Sequence, residues 1–547
     1  MYSEIISNWE RANPATSSRL GIHTFDHILP DYSEEFRLQR IIELKRELQY
    51  LETLTPVSQI EIYEWELVKF TLERELFSRE ILMDYKNSLV SWIYPLMRVE
   101  SSITARNYAS VDERLRIIIE FEKSIPDYLN KSLEIIDLEL PKAKLLMGIS
   151  FLSGCISYFK DTLISFVTQA EDEKLIHEWS EVNISAIEAM EKFTNILKTQ
   201  YLPRAHDNFK LGKDKFLELL KNQEGVELTV EKLLLIGEND LERNYKALLS
   251  LANDKSIEEF LHEIKIDYPN PENLISESKE MLSRMTKFVK DNDLISVPNH
   301  TMCEVINTPK AFRSFAFAAM NTPGPFELPE ASEAYYWITP PAPEWDADKT
   351  HQYMQFFNRG FLEYVSVHEV MPGHFLQLLK NQEAESKIMN YFAWSTSMIE
   401  GWAHYTEEMM HNYGYSDLVE HTISREKLHA GQLLGALMRN CRYVAAIKMH
   451  CFDMTVNEAK ELFMNKGFMP EPNAQIEANR GTVDSMYLNY TLGKLMIMKL
   501  RDDYQKEKGE DYSIKEFHDR LLSYGSPPIT VVRKLMLENA GNSQDVL

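Results

Sequence analysis

The segment Glu363 to Gln377, EYVSVHEVMPGHFLQ, brings two imidazoles, His368 and His374, close to one carboxylate, Glu369. Neutral imidazole suits a borderline transition metal such as zinc, and a carboxylate beside the first ligand can take a proton from water and pass it on. In the HExxH arrangement the two histidines stand four residues apart and share one helix face. Here the spacing is six. Six residues advance an ideal helix by about 240° net and about 9 Å, so an undistorted helix would send the rings to different faces. Pro372 and Gly373 supply the means of a break, because proline removes an amide donor and glycine tolerates unusual dihedrals. The sequence therefore predicts a helix that enters at about Tyr353, stays regular to His368, and widens or breaks across Val370 to Gly373. His374 would thereby return beside His368, with ring nitrogens about 3 to 3.5 Å apart.

A second segment, MIEGWAHYTEEMMHNY from Met398, places Glu400, His404, Glu407 and His411 at offsets 0, 4, 7 and 11. On a helix these share an arc of about 60°. Such a stripe is costly to bury unless it binds or relays something, and at a surface it would be only a solvated face. Beside HEVMPGH, Glu400 is expected to complete a His, His, Glu ligand set with one position left open, as catalytic zinc requires. Glu407 or His404 is then expected to orient a ligand from behind. Hydrolysis of a peptide also needs a donor for the developing oxyanion and a grip on substrate. Tyr487 and Tyr490 are candidates for the first, although a buried tyrosine is ordinarily a core residue. Arg480 or Arg442 could clamp a carboxylate bidentately, although surface ion pairing is the commoner role of either alone.

The elements that must position these groups read as helices almost throughout. From Pro30 to about Asn292 one amphipathic pattern follows another: Ser33 can cap SEEFRLQRIIELKRELQYLETL, and similar periodicity runs through Ile60 to Met97, Val111 to Phe121, Ala143 to Phe166, Glu181 to Leu197, Lys213 to Leu220, Thr229 to Leu251 and Asn273 to Val289. Between Ile295 and Asp348 the text turns rich in proline and aromatic residues with short alternating runs, which predicts a small non-helical or β segment forming a wall of the cleft. Helical text resumes at Thr350. No repeat or Gly/Ser linker divides the chain, so residues 1–547 are expected to form one unit, with a helical scaffold over 1–292 and the catalytic part over 293–547.

The 59 basic and 84 acidic residues give a formal charge of −25, which would repel a phosphate backbone, so no nucleic-acid partner is expected. Four cysteines without a CxxC pair suggest a reducing compartment. No run resembles a signal peptide or reaches the ~18 apolar residues of a membrane span, so a cytoplasmic protein without membrane contact is expected.

HEVMPGHFLQ followed by IEGWAHYTEE resembles the paired motifs of the bacterial and archaeal domain-of-unknown-function family numbered 885, whose proteins are similar to gluzincin-type helical zinc metallopeptidases. The resemblance runs from NTPGPFE through YYWITPP and both motifs to YLNYTLGKL, covering most of residues 310–505. It implies an all-α body, two-lobed around a deep channel, with Glu400 in the place of the third zinc ligand. It also favours Tyr490, in the YxxG element, as the oxyanion donor. The expected function is zinc-dependent hydrolysis of short peptides, carboxypeptidase- or oligopeptidase-like, with Glu369 as general base. Arg480, Arg442 and Tyr487 would contact substrate. The six-residue spacing departs from the HExxH pattern and places His374 in question. Two rivals remain: a helical di-metal carboxylate protein, for which Glu408/His411 and Glu259/His262 have the required spacing, and a non-catalytic peptide-binding protein. Peptide length, end preference and oligomeric state are not encoded in any recognisable motif.

Overall fold

The computed structural model describes residues 2–298, 303–309, 313, 317–327, 333–384, 386–418, 423–541 and 545–547. Among the described residues the protein is all-α apart from one three-stranded sheet. Two compact units are present, Met1–Phe209 with Pro323–Glu333 and Lys210–Thr322 with Ala334–Leu547, so the packing boundary lies upstream of the change in sequence texture at 292.

In the first unit the long helices include Glu34–Glu52, Gln59–Phe77, Val111–Ile135, Lys142–Ser157 and Glu173–Ile196. Ser33 caps the first by accepting from the Phe36 amide, and Ser58 with Glu61 and Ser110 with Glu113 form reciprocal capping boxes. The expected run from Ile60 to Met97 is interrupted. After Phe77 the chain widens over Ser78–Leu82, and Met83 turns left-handed at φ 42°, a conformation that cannot continue a right-handed helix.

The second unit holds every candidate site residue. Its sheet comprises β1 (Cys303–Asn307), β2 (Ala318–Asn321) and β3 (Ala334–Ile338) in the order β1-β3-β2. β1 runs parallel to β3, β2 antiparallel to it, and Val305 and Met320 flank Tyr336 on either side. This is the expected non-helical segment; its positions 299–302, 310–312, 314–316 and 328–332 lie outside the described residues. The Tyr336 hydroxyl bonds Ser366 Oγ at 3.1 Å, which ties the sheet to the first of six helices around the site.

These helices are α1 (Arg359–Glu369), α2 (His374–Gln382), α3 (Thr396–Asn412), α4 (Arg425–Cys451), α5 (Glu471–Gly481) and α6 (Asn489–Lys508). α1 enters later than expected. Asp346 caps a separate short helix, Ala347–Met354, and the Asn358 side chain then accepts from the Phe361 amide at 3.0 Å to start α1 anew. α1 and α4 approach closely at Gly360 and Gly431, where a Cβ on Gly431 would lie 2.3 Å from the Gly360 carbonyl carbon. Leu362, Val367, Leu376, Met398, Trp402, Leu437 and Leu492 are all buried and pack these helices together. Among the described residues no helix is long and apolar enough to cross a membrane.

Candidate active site

α1 ends at Glu369, as the broken-helix expectation requires. The Val370 amide still bonds Ser366 O at 2.9 Å, but the Gly373 amide reaches back to Val367 O at 3.0 Å, closing a six-residue loop that absorbs the surplus rotation. Only glycine fits there: a Cβ on residue 373 would lie 1.8 Å from His368 O and 2.4 Å from Val367 O. The Pro372 carbonyl accepts from Trp402 Nε1 at 2.9 Å, so α3 holds the break from the side. α2 then begins at His374 and returns its ring beside His368, with centroids 4.7 Å apart and planes at 79°.

One oxygen of Glu400, Oε2, lies 3.4 Å from His368 Nε2 and 3.5 Å from His374 Nε2. Ligand atoms of His368, Glu369 and His374 also lie within 4.8 Å of one another, so two carboxylates border the imidazole pair. They are not equivalent. Glu400 faces both ring nitrogens, whereas Glu369 Oε2 accepts the Met320 amide of β2 at 3.0 Å. Geometry therefore makes Glu400 the better-placed candidate ligand, with Glu369 beside the imidazole pair. Burial alone would raise the Glu400 carboxyl, but hydrogen bonds from His368 and His374 hold it well below the usual range. Burial and then Arg439 push the His368 imidazole down, yet Glu400 and Glu407 outweigh them and raise it to about 9. Both shifts express one fact: the pocket favours positive charge between these groups.

Behind His368 stands a buried support. Its Nδ1 lies 2.7 Å from Glu407 Oε1, and Arg439 donates from Nη1 to the same carboxylate at 3.3 Å and forms an ion pair with it at 3.1 Å. Arg439 is also 3.2 Å from His368 Nδ1. A guanidinium has no lone pair to offer, so the shorter contact assigns the Nδ1 proton to Glu407 and turns Nε2 to Glu400 and the cavity. Burial would raise Glu407, but Arg439 and His368 keep it ionised, well below its ordinary value. His404 lies deeper. Its Nδ1 is 3.5 Å from Glu407 Oε2 without a hydrogen bond, and burial followed by the charge of Lys494 lowers it to about 4. His411 does not join the site; it bonds Ser416 at 2.8 Å and stacks on His429 at 3.6 Å.

The histidines and Glu400 line a cavity of about 490 Å³ that also exposes Glu369, Arg439, Arg442, Arg480 and Tyr490. The three guanidinium carbons stand 5.9, 5.1 and 6.0 Å from the Tyr490 ring centre. Burial and then Glu400 raise the Tyr490 hydroxyl, so it stays protonated and can donate at neutral pH. Arg442 is engaged by Glu477 at 2.8 and 2.7 Å, and Arg480 by one oxygen of Asp484 at 3.2 and 2.9 Å. Tyr487 corrects the sequence expectation: it does not line the cavity but is buried against Gly481, because it lies in the turn before α6, where the backbone is not yet helical and its side chain faces the core. The two acid/His pairs of the di-metal alternative are occupied separately. Glu259 closes a capping box with Ser256, and Glu408 pairs with Arg243 at 2.7 Å and Lys494 at 2.5 Å.

A family profile described as "Bacterial protein of unknown function (DUF885)" matches residues 14–536. The chain belongs to this family. No curated protein matches the sequence. The DUF885 fold is shared with two solved structures. A proposed lipoprotein of unknown function from Shewanella oneidensis superposes with a TM-score of 0.82 at 21% identity, covering 98% of each chain. A proposed lipoprotein from Colwellia psychrerythraea gives 0.78 at 17% identity, covering 98% of this chain and 96% of that one.

Three parts of this DUF885 site were missed from the sequence. Arg439 sits one helical turn before Arg442 and carries the Glu407 support, but its role depends on a helix contact at Gly360 and Gly431 that periodicity does not encode. The Met320 amide is a backbone group and leaves no residue-type signal. Phe317, Phe356 and Phe361 form an aromatic cluster, with Phe356 centred 4.3 Å from Phe317 and 4.7 Å from Phe361, at one end of the cavity. Phe361 was legible: it stands one helical stripe, i to i+7, before His368.

Proposed function

We propose that this chain is a zinc-dependent peptidase acting on short peptides, similar in its chemistry to gluzincin-type helical metallopeptidases. The observation that carries the reading is the convergence of two imidazole Nε2 atoms on one Glu400 oxygen beside a second carboxylate, Glu369, inside a cavity. Two nitrogens and one carboxylate oxygen suit zinc better than magnesium or calcium. The donor set also fits in its details. Glu407 holds the Nδ1 side of His368, which fixes the ring so that Nε2 faces Glu400.

Zinc held by His368, His374 and Glu400 would supply a Lewis acid for a peptide carbonyl and lower the pKa of water. The chain's own groups divide the remaining work. Glu369, steadied by the Met320 amide, takes a proton from the attacking water and passes it to the departing amine. Tyr490 donates its hydroxyl proton in a hydrogen bond to the oxyanion, with three guanidiniums around its ring adding positive potential. Glu407 and Arg439 keep the His368 ring from turning.

Cytoplasmic placement is part of the proposal and rests on the low cysteine content, four in 547 residues with no CxxC pair. Two of the solved structures that share this fold are called lipoproteins, so cell fractionation is the relevant check. The function itself is tested by elemental analysis and a peptide digest of wild type and Glu369→Gln. The reading predicts about one zinc per chain in both and turnover lower by about 10² to 10⁴-fold in the variant. Absence of any transition metal after zinc-supplemented expression, or full activity in Glu369→Gln, overturns it.

A further inference from the structure

The cavity has direction. α1 touches α4 at Gly360 and Gly431 and again at His368 and Arg439, so contact advances equally along both helices and they run parallel. At 1.5 Å per residue these contacts are about 12 Å apart along the axis. The lining residues sort along that axis. Phe361, Phe356 and Phe317 stand at the end nearer Gly431, about 10 Å before the histidines. Arg442 comes one turn after Arg439, about 4.5 Å past the histidines, and with Arg480 it surrounds Tyr490. One end of the cavity is thus long and aromatic, and the other is short and cationic.

The cationic end differs in what it can release. The Arg442 guanidinium is held bidentately by Glu477 through Nε and Nη2, and the two side chains are only 9% and 12% exposed. Arg439 is committed to Glu407. Arg480 contacts a single carboxylate oxygen, from Asp484 one turn along the chain, and otherwise only the neutral Tyr490 hydroxyl among the partners that hold it in the cavity. The Arg480 and Asp484 side chains are over a third accessible at 34% and 40%. Such a pair is weak, so the Arg480 fork can turn to a better acceptor with little loss. A planar guanidinium receives a carboxylate bidentately.

We infer that the cationic end receives the free C-terminal carboxylate of a peptide, with Arg480 as the recognising residue, so that the enzyme is a carboxypeptidase whose leaving group is a single residue. This rests on the peptidase reading above. From a scissile carbonyl carbon to the carboxylate of the next residue is about one extended residue, ~3.5 Å plus the carboxyl group, which matches the short distance from the histidines to the arginine cluster. The rest of the peptide extends toward the aromatic end, alongside β2. In the reaction water adds to the carbonyl carbon, the C–N bond breaks, and the water's proton, carried by Glu369, ends on the amine of the released amino acid.

An acidic side chain offers the same carboxylate, so the test separates the two sources. Zinc-loaded Glu369→Gln protein is titrated with N-acetylated tetra-alanine as free acid, as C-terminal amide, and with an amide whose last residue is glutamate. Wild type is digested with the same three. The free acid should bind about 10- to 100-fold more tightly than either amide, the range for a charge-assisted hydrogen bond, and wild type should release alanine from it. In Arg480→Gln the preference should fall to near unity, with Arg480→Lys intermediate and zinc content unchanged in both. Equal binding of acid and plain amide, tight binding of the glutamate amide, or an undiminished preference in Arg480→Gln overturns the inference. A binding preference for the acid with no hydrolysis of any peptide would instead overturn the peptidase reading while leaving carboxylate recognition standing.

Discussion

Substitution Gly373→Ala should dismantle the site without touching a ligand. Its Cβ would lie 1.8 Å from His368 O, and ordinary contact begins at 3.4 Å, so about 1.6 Å must be recovered from main-chain atoms of the ligand residue itself. Nothing flexible can yield, because the obstructing atoms are the carbonyls of Val367 and His368. Overpacking of this kind costs about 3 kcal/mol or rearranges the turn. Either outcome separates His374 from His368 by far more than the ~0.2 Å that zinc ligand distances tolerate. Zinc affinity, measured by competition with a chromophoric chelator, should fall by at least ~10²-fold, beyond the 10- to 100-fold typical of losing an outer hydrogen-bond partner. Far-UV circular dichroism should be retained. Wild-type affinity within threefold would refute the steric argument. If His374→Ala also bound zinc normally, the ligand assignment would fall with it.

Other outcomes follow from the same geometry. Glu407→Gln should weaken zinc binding by about 10- to 100-fold and destabilise the fold by about 3–5 kcal/mol, since Arg439 is left buried without its counter-charge; Arg439→Met added to it should restore stability in denaturant titration but not affinity. Tyr490→Phe should lower kcat by about 10²-fold in steady-state peptide hydrolysis with little change in KM. His518 is buried between Leu294 O at 2.8 Å and the Tyr405 hydroxyl at 2.9 Å, and burial lowers it from 6.5 to about 4. Its folded pKa lies below the unfolded one, so its contribution of about 3 kcal/mol is complete above pH ~6.5 and is lost as pH falls through ~4. His518→Asn, followed by denaturant titration across that window, should show a flatter acid limb.

The site was legible in proportion to how local its signals are. The six-residue spacing with Pro372 and Gly373 announced a broken helix, and the offsets of Glu400, His404, Glu407 and His411 announced one shared helix face while leaving its burial open, because both are properties of a short stretch of chain. The start of α1 was misplaced since Asn358 acts through a cap that ends one helix and begins another within five residues. The interruption after Phe77 carried no Pro or Gly to mark it. Tyr487 and Tyr490 could not be told apart, because which of two neighbouring side chains faces the cavity depends on the packing of α5 and α6. Arg439 was hidden for the same reason: its function lies in a contact with residues 32 and 71 positions away.

The central claim is that one metal ion sits between His368, His374 and Glu400. Anomalous diffraction at the zinc edge from crystals of the zinc-loaded protein addresses it directly. The account predicts a single peak about 2.0 to 2.2 Å from Nε2 of both histidines and from a Glu400 oxygen, with Glu369 outside bonding distance. A peak elsewhere, a peak bonded to Glu369 in place of Glu400, or no peak at this site contradicts it.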